Sequence, residues 1–142
     1  MAKALPPVRV LVVDDDQAIL EFMETFLTKD GFEVTTLSNA QDAPDAVKDG
    51  GFHLVVLDLM MPGIGGAEVL QRMKANEALR ATPVVMISGR QDMEQIIACI
   101  QAGADDYLLK PFNPVLLQAR IAAGIERKRW HDREAQYRLQ LE

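Results

Sequence analysis

The chain has 142 residues, a formal net charge of -6 and an apolar fraction of 49%, enough for one ordinary domain with a real core and too apolar for a disordered segment. The acidic balance argues against a nucleic-acid surface on this segment, and no apolar run reaches the roughly 18–20 residues of a membrane helix. Cys99 is the sole cysteine, so no intrachain disulfide can form, and the opening residues 1–7 carry no apolar signal core; the cytoplasm is the default compartment.

Strand-like and helix-like stretches alternate along the chain, the pattern of βαβ units around a parallel sheet. Residues 8–13 form an almost wholly apolar run, as expected of a strand covered on both faces, and they lead into Asp14-Asp15-Asp16. A helix is predicted over residues 17–28, capped by Asp16, with Ile19, Met23, Phe26 and Leu27 on its inner face and Gly31 closing it. Residues 32–37 read as a second strand and residues 39–48 as a weaker helix ended by Gly50-Gly51. The third strand, residues 53–57, stops at Asp58. A loop with Pro62, Gly63, Gly65 and Gly66 leads to a helix over residues 67–75. Residues 83–87 form the fourth strand, which ends at Ser88-Gly89. Residues 92–102 form a helix with Met93, Ile96, Ile97 and Ile100 on its apolar side. Residues 106–109 are the fifth strand, running into Lys110-Pro111, and Pro114 suits the first turn of a final helix.

That final helix shows no stop signal. Its composition turns strongly charged near Gly124, so a boundary is placed there: residues 1–124 as one domain, residues 125–142 as a helical extension, either a linker to an output domain or a dimerisation helix. Glu134 and Arg138 form an i,i+4 pair, and Ala123, Trp130 and Tyr137 recur at heptad spacing. No stop precedes Glu142, so the chain is expected to be the front part of a longer regulator; a stand-alone protein is the alternative.

Three strand ends thus present acid, acid and base at the carboxyl edge of the sheet, where open α/β sheets bind ligands. Asp14, Asp15 and Asp58 in one cleft repel each other, roughly 4 kcal/mol per pair at about 4 Å and an effective dielectric near 20. A hard divalent cation with oxygen ligands, Mg²⁺ or Mn²⁺, is the natural counter-charge. Asp58 then reads as a carboxylate nucleophile for a phosphoryl group, Lys110 as a fixed cation for its oxygens, and Ser88 as a hydroxyl donor.

In order and spacing these residues resemble the receiver domain of two-component response regulators. The resemblance covers residues 8–124 and rests on Asp14-Asp15, residues 58–66, Ser88-Gly89, Tyr107 and Lys110-Pro111-Phe112. It implies a flavodoxin-like (βα)5 doubly wound sheet of five parallel strands, and Asp58 as acceptor of a phosphoryl group from a sensor histidine kinase or phosphotransfer protein. It further implies Mg²⁺ held by Asp15 directly, by Asp14 mainly through water, by Asp58 and by the Met60 backbone carbonyl. Lys110 would pair with the phosphoryl oxygens across a cis bond to Pro111. Ser88 and Tyr107 would form a switch that remodels the face of the fourth helix, fifth strand and fifth helix. Met60 and Arg90 stand at the variable positions that tune phosphoryl lifetime. Ser88 replaces the commoner threonine and keeps the hydroxyl; Gly65 replaces a frequent polar residue and loosens its loop.

Each residue also has a plainer reading. Asp16 is a helix cap, Asp58 alone a turn residue, Lys110 alone a solvated lysine, and Tyr107 a half-buried core aromatic. His53 and His131 have no partners at metal-ligand spacing, and Cys99 reads as inert packing. A flavodoxin-like FMN binder is rejected because three aspartates would repel its phosphate, and a P-loop hydrolase because its motif is absent. Two rivals remain: a pseudo-receiver that binds partners without phosphorylation, and a phosphatase of the haloacid-dehalogenase type. The phosphatase wants an acid two residues after its nucleophile, where this chain has Met60.

Overall fold

The computed structural model describes residues 7–61, 63, 65–89 and 93–141. Five strands and five helices alternate: β1 (Arg9–Val13), α1 (Gln17–Lys29), β2 (Glu33–Leu37), α2 (Ala43–Gly50), β3 (Leu54–Asp58), α3 (Gly66–Ala75), β4 (Val84–Ser88), α4 (Met93–Gln101), β5 (Asp106–Leu109) and α5 (Pro114–Leu141). All strands are parallel, in the order β2-β1-β3-β4-β5. This is the expected doubly wound five-stranded sheet. The order reverses between β1 and β3, and the crevice beyond their carboxyl ends is where such sheets take ligands.

The pleat sorts the central strands into two apolar layers. Val10 and Val12 of β1, Leu54 and Val56 of β3, and Val85 and Ile87 of β4 pack with Leu20, Met23 and Leu27 of α1 and Leu117, Ile121 and Ile125 of α5. Their neighbours Leu11, Val13, Val55, Leu57, Val84 and Met86 pack with residues of α2, α3 and α4. Alternation of period two inside continuous apolar runs is what a sheet covered on both faces requires.

Several boundaries and faces differ from expectation for local reasons. Asp16 caps α1 as predicted, accepting from the Ala18 amide at 3.0 Å, but the buried stripe centres on Leu20, Met23 and Leu27 while Ile19 and Phe26 lie at its margin. Helix α2 begins at Ala43, not at residue 39, because Asn39 turns the chain instead: its Oδ1 accepts from the Asp42 amide at 3.0 Å, and its Nδ2 donates to Asp42 Oδ2. On α4, Ile96 and Cys99 are buried, whereas Met93, Ile97 and Ile100 are exposed. The apolar residues of α4 thus divide between the core and the surface.

Helix α5 runs unbroken through Gly124. A Cβ on Gly124 would lie 2.8 Å from Leu54 Cδ1, so the absent side chain lets α5 settle on β3. Ile125 is its last buried residue among those described. Beyond it, i,i+4 pairs support the charged surface: Lys128–Asp132 at 2.6 Å and Glu134–Arg138 at 2.9 Å. Among the described residues, no helix is long and apolar enough to cross a membrane.

Candidate functional site

Asp58 is the last residue of β3, one place further into the strand than expected, held in register by the Leu59 amide donating to the Ile87 carbonyl at 2.9 Å. Asp14 follows β1, its amide bonded to the Leu37 carbonyl at 3.1 Å, and its Oδ1 accepts from the Asp16 amide at 2.9 Å. Both carboxylates are buried and Asp15 is exposed. One carboxylate oxygen from each of Asp14, Asp15 and Asp58 lies within 4.8 Å of the others.

Lys110 follows β5, where its amide donates to the Ser88 carbonyl at 2.8 Å and its peptide bond to Pro111 is cis. Its Nζ lies 3.2 Å from Asp14 Oδ2 and 3.4 Å from Asp58 Oδ1. The approach to Asp14 lies off the direction of a hydrogen bond, so Asp14 Oδ2 is buried with a charge nearby and no donor. Burial and the Asp14 carboxylate push the Asp58 carboxyl from 3.8 up to about 7, against the opposing pull of Lys110. Burial pulls the Lys110 ammonium down, but Asp14 and Asp58 more than offset it and hold its pKa above the ordinary value. The two directions agree once the ammonium is seen to be shared: one cation serves two buried carboxylates and fully neutralises neither.

Three carboxylates face one ammonium, an excess of two negative charges that one divalent cation would cancel. The donor set is all oxygen, the choice of hard cations, and Asp14 Oδ2, buried without a hydrogen bond and sharing the Lys110 ammonium with Asp58, has capacity for a further positive partner. The Met60 carbonyl accepts no backbone hydrogen bond among the described residues. The residues therefore fit such an ion.

Ser88 ends β4 beside β3 and is buried; its hydroxyl makes only a long contact, 3.4 Å, with the Gly89 carbonyl. Tyr107 on β5 is half-buried, packed against the α2–α4 layer. The Met60 side chain is exposed and, with Leu70 and Cys99, borders an apolar hollow of about 290 Å³ between α3 and α4. Burial pushes the Cys99 thiol up, away from reactivity. Arg90 lies outside the described residues. One contributor escaped the sequence reading: Gly66. A Cβ there would lie 2.2 Å from the Asp58 carbonyl oxygen, and the Gly66 amide donates to the Leu59 carbonyl at 3.0 Å. The start of α3 is thus seated directly on the backbone of Asp58. The paired glycines were the available signal, although they looked like mere loop residues.

A buried aspartate at a sheet's switch point, two acidic neighbours and a lysine form a charge-rich cleft with an all-oxygen donor set that a divalent cation would fit. The sequence matches the response regulator receiver domain family over residues 10–122, and the chain belongs to that family: it is a receiver domain of a two-component response regulator. The DNA-binding response regulator MtrA of Mycolicibacterium paratuberculosis (strain ATCC BAA-968 / K-10) is 36% identical over 119 residues, 84% of this chain and 52% of that protein. The chain spans about half the length of the curated relatives it matches. A CheY-like response regulator receiver domain protein from Methanospirillum hungatei JF-1 superposes with a TM-score of 0.82 at 29% identity, over 89% of this chain and 99% of that one. A receiver domain protein from Clostridium thermocellum does so with 0.80 at 28% identity, over 87% and 98%. The cluster of Asp14, Asp15 and Asp58 fits the phosphorylation site of the family.

Proposed function

We propose that Asp58 is the phosphoacceptor and takes its phosphoryl group from the phosphohistidine of a sensor histidine kinase or phosphotransfer protein. The observation that carries this reading is the placement of Asp58, a buried carboxylate at the switch point of the sheet, 3.4 Å from Lys110 and clustered with Asp14 and Asp15. A carboxylate oxygen of Asp58 attacks phosphorus, the P–N bond breaks, and its electron pair leaves with the imidazole nitrogen. Asp14, Asp15, Asp58 and the Met60 carbonyl would hold Mg²⁺, or Mn²⁺ in its place, which when bound supplies positive charge that favours the ionised Asp58 and the incoming phosphoryl oxygens. Lys110 pairs with those oxygens as a fixed cation.

In the product, the Ser88 hydroxyl exchanges its long contact with Gly89 for a phosphoryl oxygen. Tyr107 then turns inward, and the face of α4, β5 and α5 changes. That face already carries exposed Met93, Ile97, Ile100, Val115 and Leu116, an apolar surface suited to an output domain, a partner or a second copy. Met60 offers no group that could deprotonate an attacking water, so hydrolysis of the phosphoryl group gets no general-base help from this position. Met60 and Arg90 set the phosphoryl lifetime. Residues 1–124 act as the receiver and the helix beyond carries its state to an output domain or a dimer contact; burial ending at Ile125 supports this division. A kinase partner of this type places the domain in the cytoplasm.

Incubation with acetyl phosphate and Mg²⁺, followed by intact-mass measurement, tests the reading. The expected result is one phosphoryl adduct, labile to acid and alkali and lost in Asp58→Asn. No adduct on a folded chain would mean a binding module that has kept the fold without the chemistry. Steady release of phosphate from free phosphate esters would mean a phosphatase.

A further inference from the structure

At the opposite end of the sheet from Asp58, the connection from α3 to β4 meets the outer part of α5. Between them is a hollow of about 260 Å³ bordered by Lys74, Arg80, Asp105, Arg127, Lys128 and His131. Four basic side chains and a histidine line one concavity, with Asp105 the one carboxylate in the lining and Asp132 beside it paired to Lys128, in a chain whose net charge is -6. The length of β4, five residues at about 3.3 Å each, separates this hollow from the phosphoryl site by roughly 17 Å.

Part of the lining is held in place. Lys74 Nζ donates to the Arg80 carbonyl at 3.0 Å and lies 3.4 Å from the Thr82 carbonyl, while Arg80 Nε donates back to the Lys74 carbonyl at 3.1 Å. This reciprocal clip leaves the terminal nitrogens of Arg80 without a hydrogen-bond partner among the described residues. Asp105, the one acid of the lining, already accepts from the Val84 amide at 2.8 Å through Oδ2. Arg127 forms no ion pair among the described residues, and Lys128 is held by Asp132 at 2.6 Å. Burial is the main cause that lowers the Lys74 pKa, with Asp105 opposing it, so this ammonium has lost water without gaining a full counter-charge.

We propose that this hollow is a binding site for a small polyvalent phosphate anion of the pyrophosphate class. Its volume lies below the roughly 300–1,000 Å³ of pockets for drug-sized ligands, which favours a compact anion over a whole nucleotide. Arginines supply forked donors that match phosphate oxygens, and the lysines add point charge. The geometry gives the site a consequence. Arg127, Lys128 and His131 lie just past Ile125, the last buried residue of α5. An anion bridging them to Lys74 and Arg80 ties the outgoing helix to the body of the domain, so binding stiffens the segment through which the domain's state leaves it.

Calorimetric titration of the 142-residue chain with pyrophosphate in Mg²⁺-free buffer tests the proposal. Leaving Mg²⁺ out keeps metal-assisted anion binding at Asp58 from contributing. The expected result is one site per chain, weakened at least about tenfold, or 1.4 kcal/mol, in Arg127→Glu and Arg80→Gln and unchanged in Asp58→Asn. Arg129→Glu is the control: Arg129 is exposed on the same stretch of helix but does not border the hollow. Equal weakening by Arg129→Glu would reduce the effect to general attraction by a basic helix and overturn the site. Absence of saturable binding, or binding that survives Arg127→Glu intact, would also overturn it. The acetyl phosphate adduct at Asp58 is scored separately, so failure here leaves that reading standing.

Discussion

Asp14 and Asp58 share one ammonium in a site that gives neither of them enough water, and the consequences are measurable residue by residue. The Asp58 carboxyl is raised from 3.8 to about 7, so between those values the folded chain keeps a proton that the unfolded chain has released. Stability contributed by this group therefore falls as pH rises through that window, and the loss is complete above about 7. Asp58→Asn removes a charge that folding would have to bury. In Mg²⁺-free buffer near pH 8 it should raise the melting temperature by roughly 3–6 °C, an advantage that disappears below about pH 4. Melts across that range check it, and identical melting of the two proteins at pH 8 would contradict the account. Lys110→Met should act with the opposite sign. It strips the shared cation from two buried carboxylates and should cost about 1–3 kcal/mol without metal, since Lys110 is itself partly exposed. Added Mg²⁺ should return part of that loss, and denaturant titration with and without the ion reads both numbers.

At the scale of the element, the decisive contacts are the ones that seat helices on strands. A Cβ on Gly66 would fall 2.2 Å from the Asp58 carbonyl oxygen, so Gly66→Ala must lift α3 or displace β3. The expected cost is about 1–3 kcal/mol, together with slower phosphorylation by acetyl phosphate, because Asp58, the proposed acceptor, moves. A variant that loses stability yet phosphorylates at the original rate would show that Gly66 serves only the packing. On α5, Ile125→Ala should cost about 2–4 kcal/mol, whereas Trp130→Ala, one and a half turns later and exposed, should stay within about 0.5 kcal/mol of the parent in a monomer. The strands were readable in the sequence because sheets covered on both faces demand unbroken apolar runs, and few other structures do. Helix α2 was less readable, since a turn made by Asn39 onto Asp42 competes with helix formation and periodicity does not register it. The apolar stripe of α4 misled in another way: spacing locates a greasy face, but only the packing of α3 and β4 decides that Cys99 goes in and Ile97 and Ile100 stay out. Gly66 was invisible as a contact because its neighbour, the Asp58 carbonyl, is defined only once α3 folds back.

At the scale of the molecule, the pleat divides the site between the two layers of the fold. Asp58 has the parity of Leu54 and Val56, which face α1 and α5; Ser88 has the parity of Val84 and Met86, which face α2, α3 and α4. Tyr107 packs on that second layer as well. A phosphoryl group on Asp58 that drew in the Ser88 hydroxyl, as proposed, would therefore link an event on one side of the sheet to the side that holds α4. The link needs the hydroxyl and not the volume of the side chain. Ser88→Ala should leave formation of the Asp58 adduct within a few-fold of the parent rate, because Asp14, Asp58 and Lys110 are untouched. It should nevertheless abolish most of the amide shift changes that phosphorylation produces in Met93–Gln101. Restoring a hydroxyl as Ser88→Thr should bring those changes back, with the extra methyl costing at most about 1–3 kcal/mol in a buried place. Two-dimensional amide spectra of the three proteins, with and without acetyl phosphate and Mg²⁺, decide the matter. If α4 still responds in Ser88→Ala, the signal crosses the sheet through the backbone of β4 instead, where the Lys110 amide already bonds to the Ser88 carbonyl at 2.8 Å.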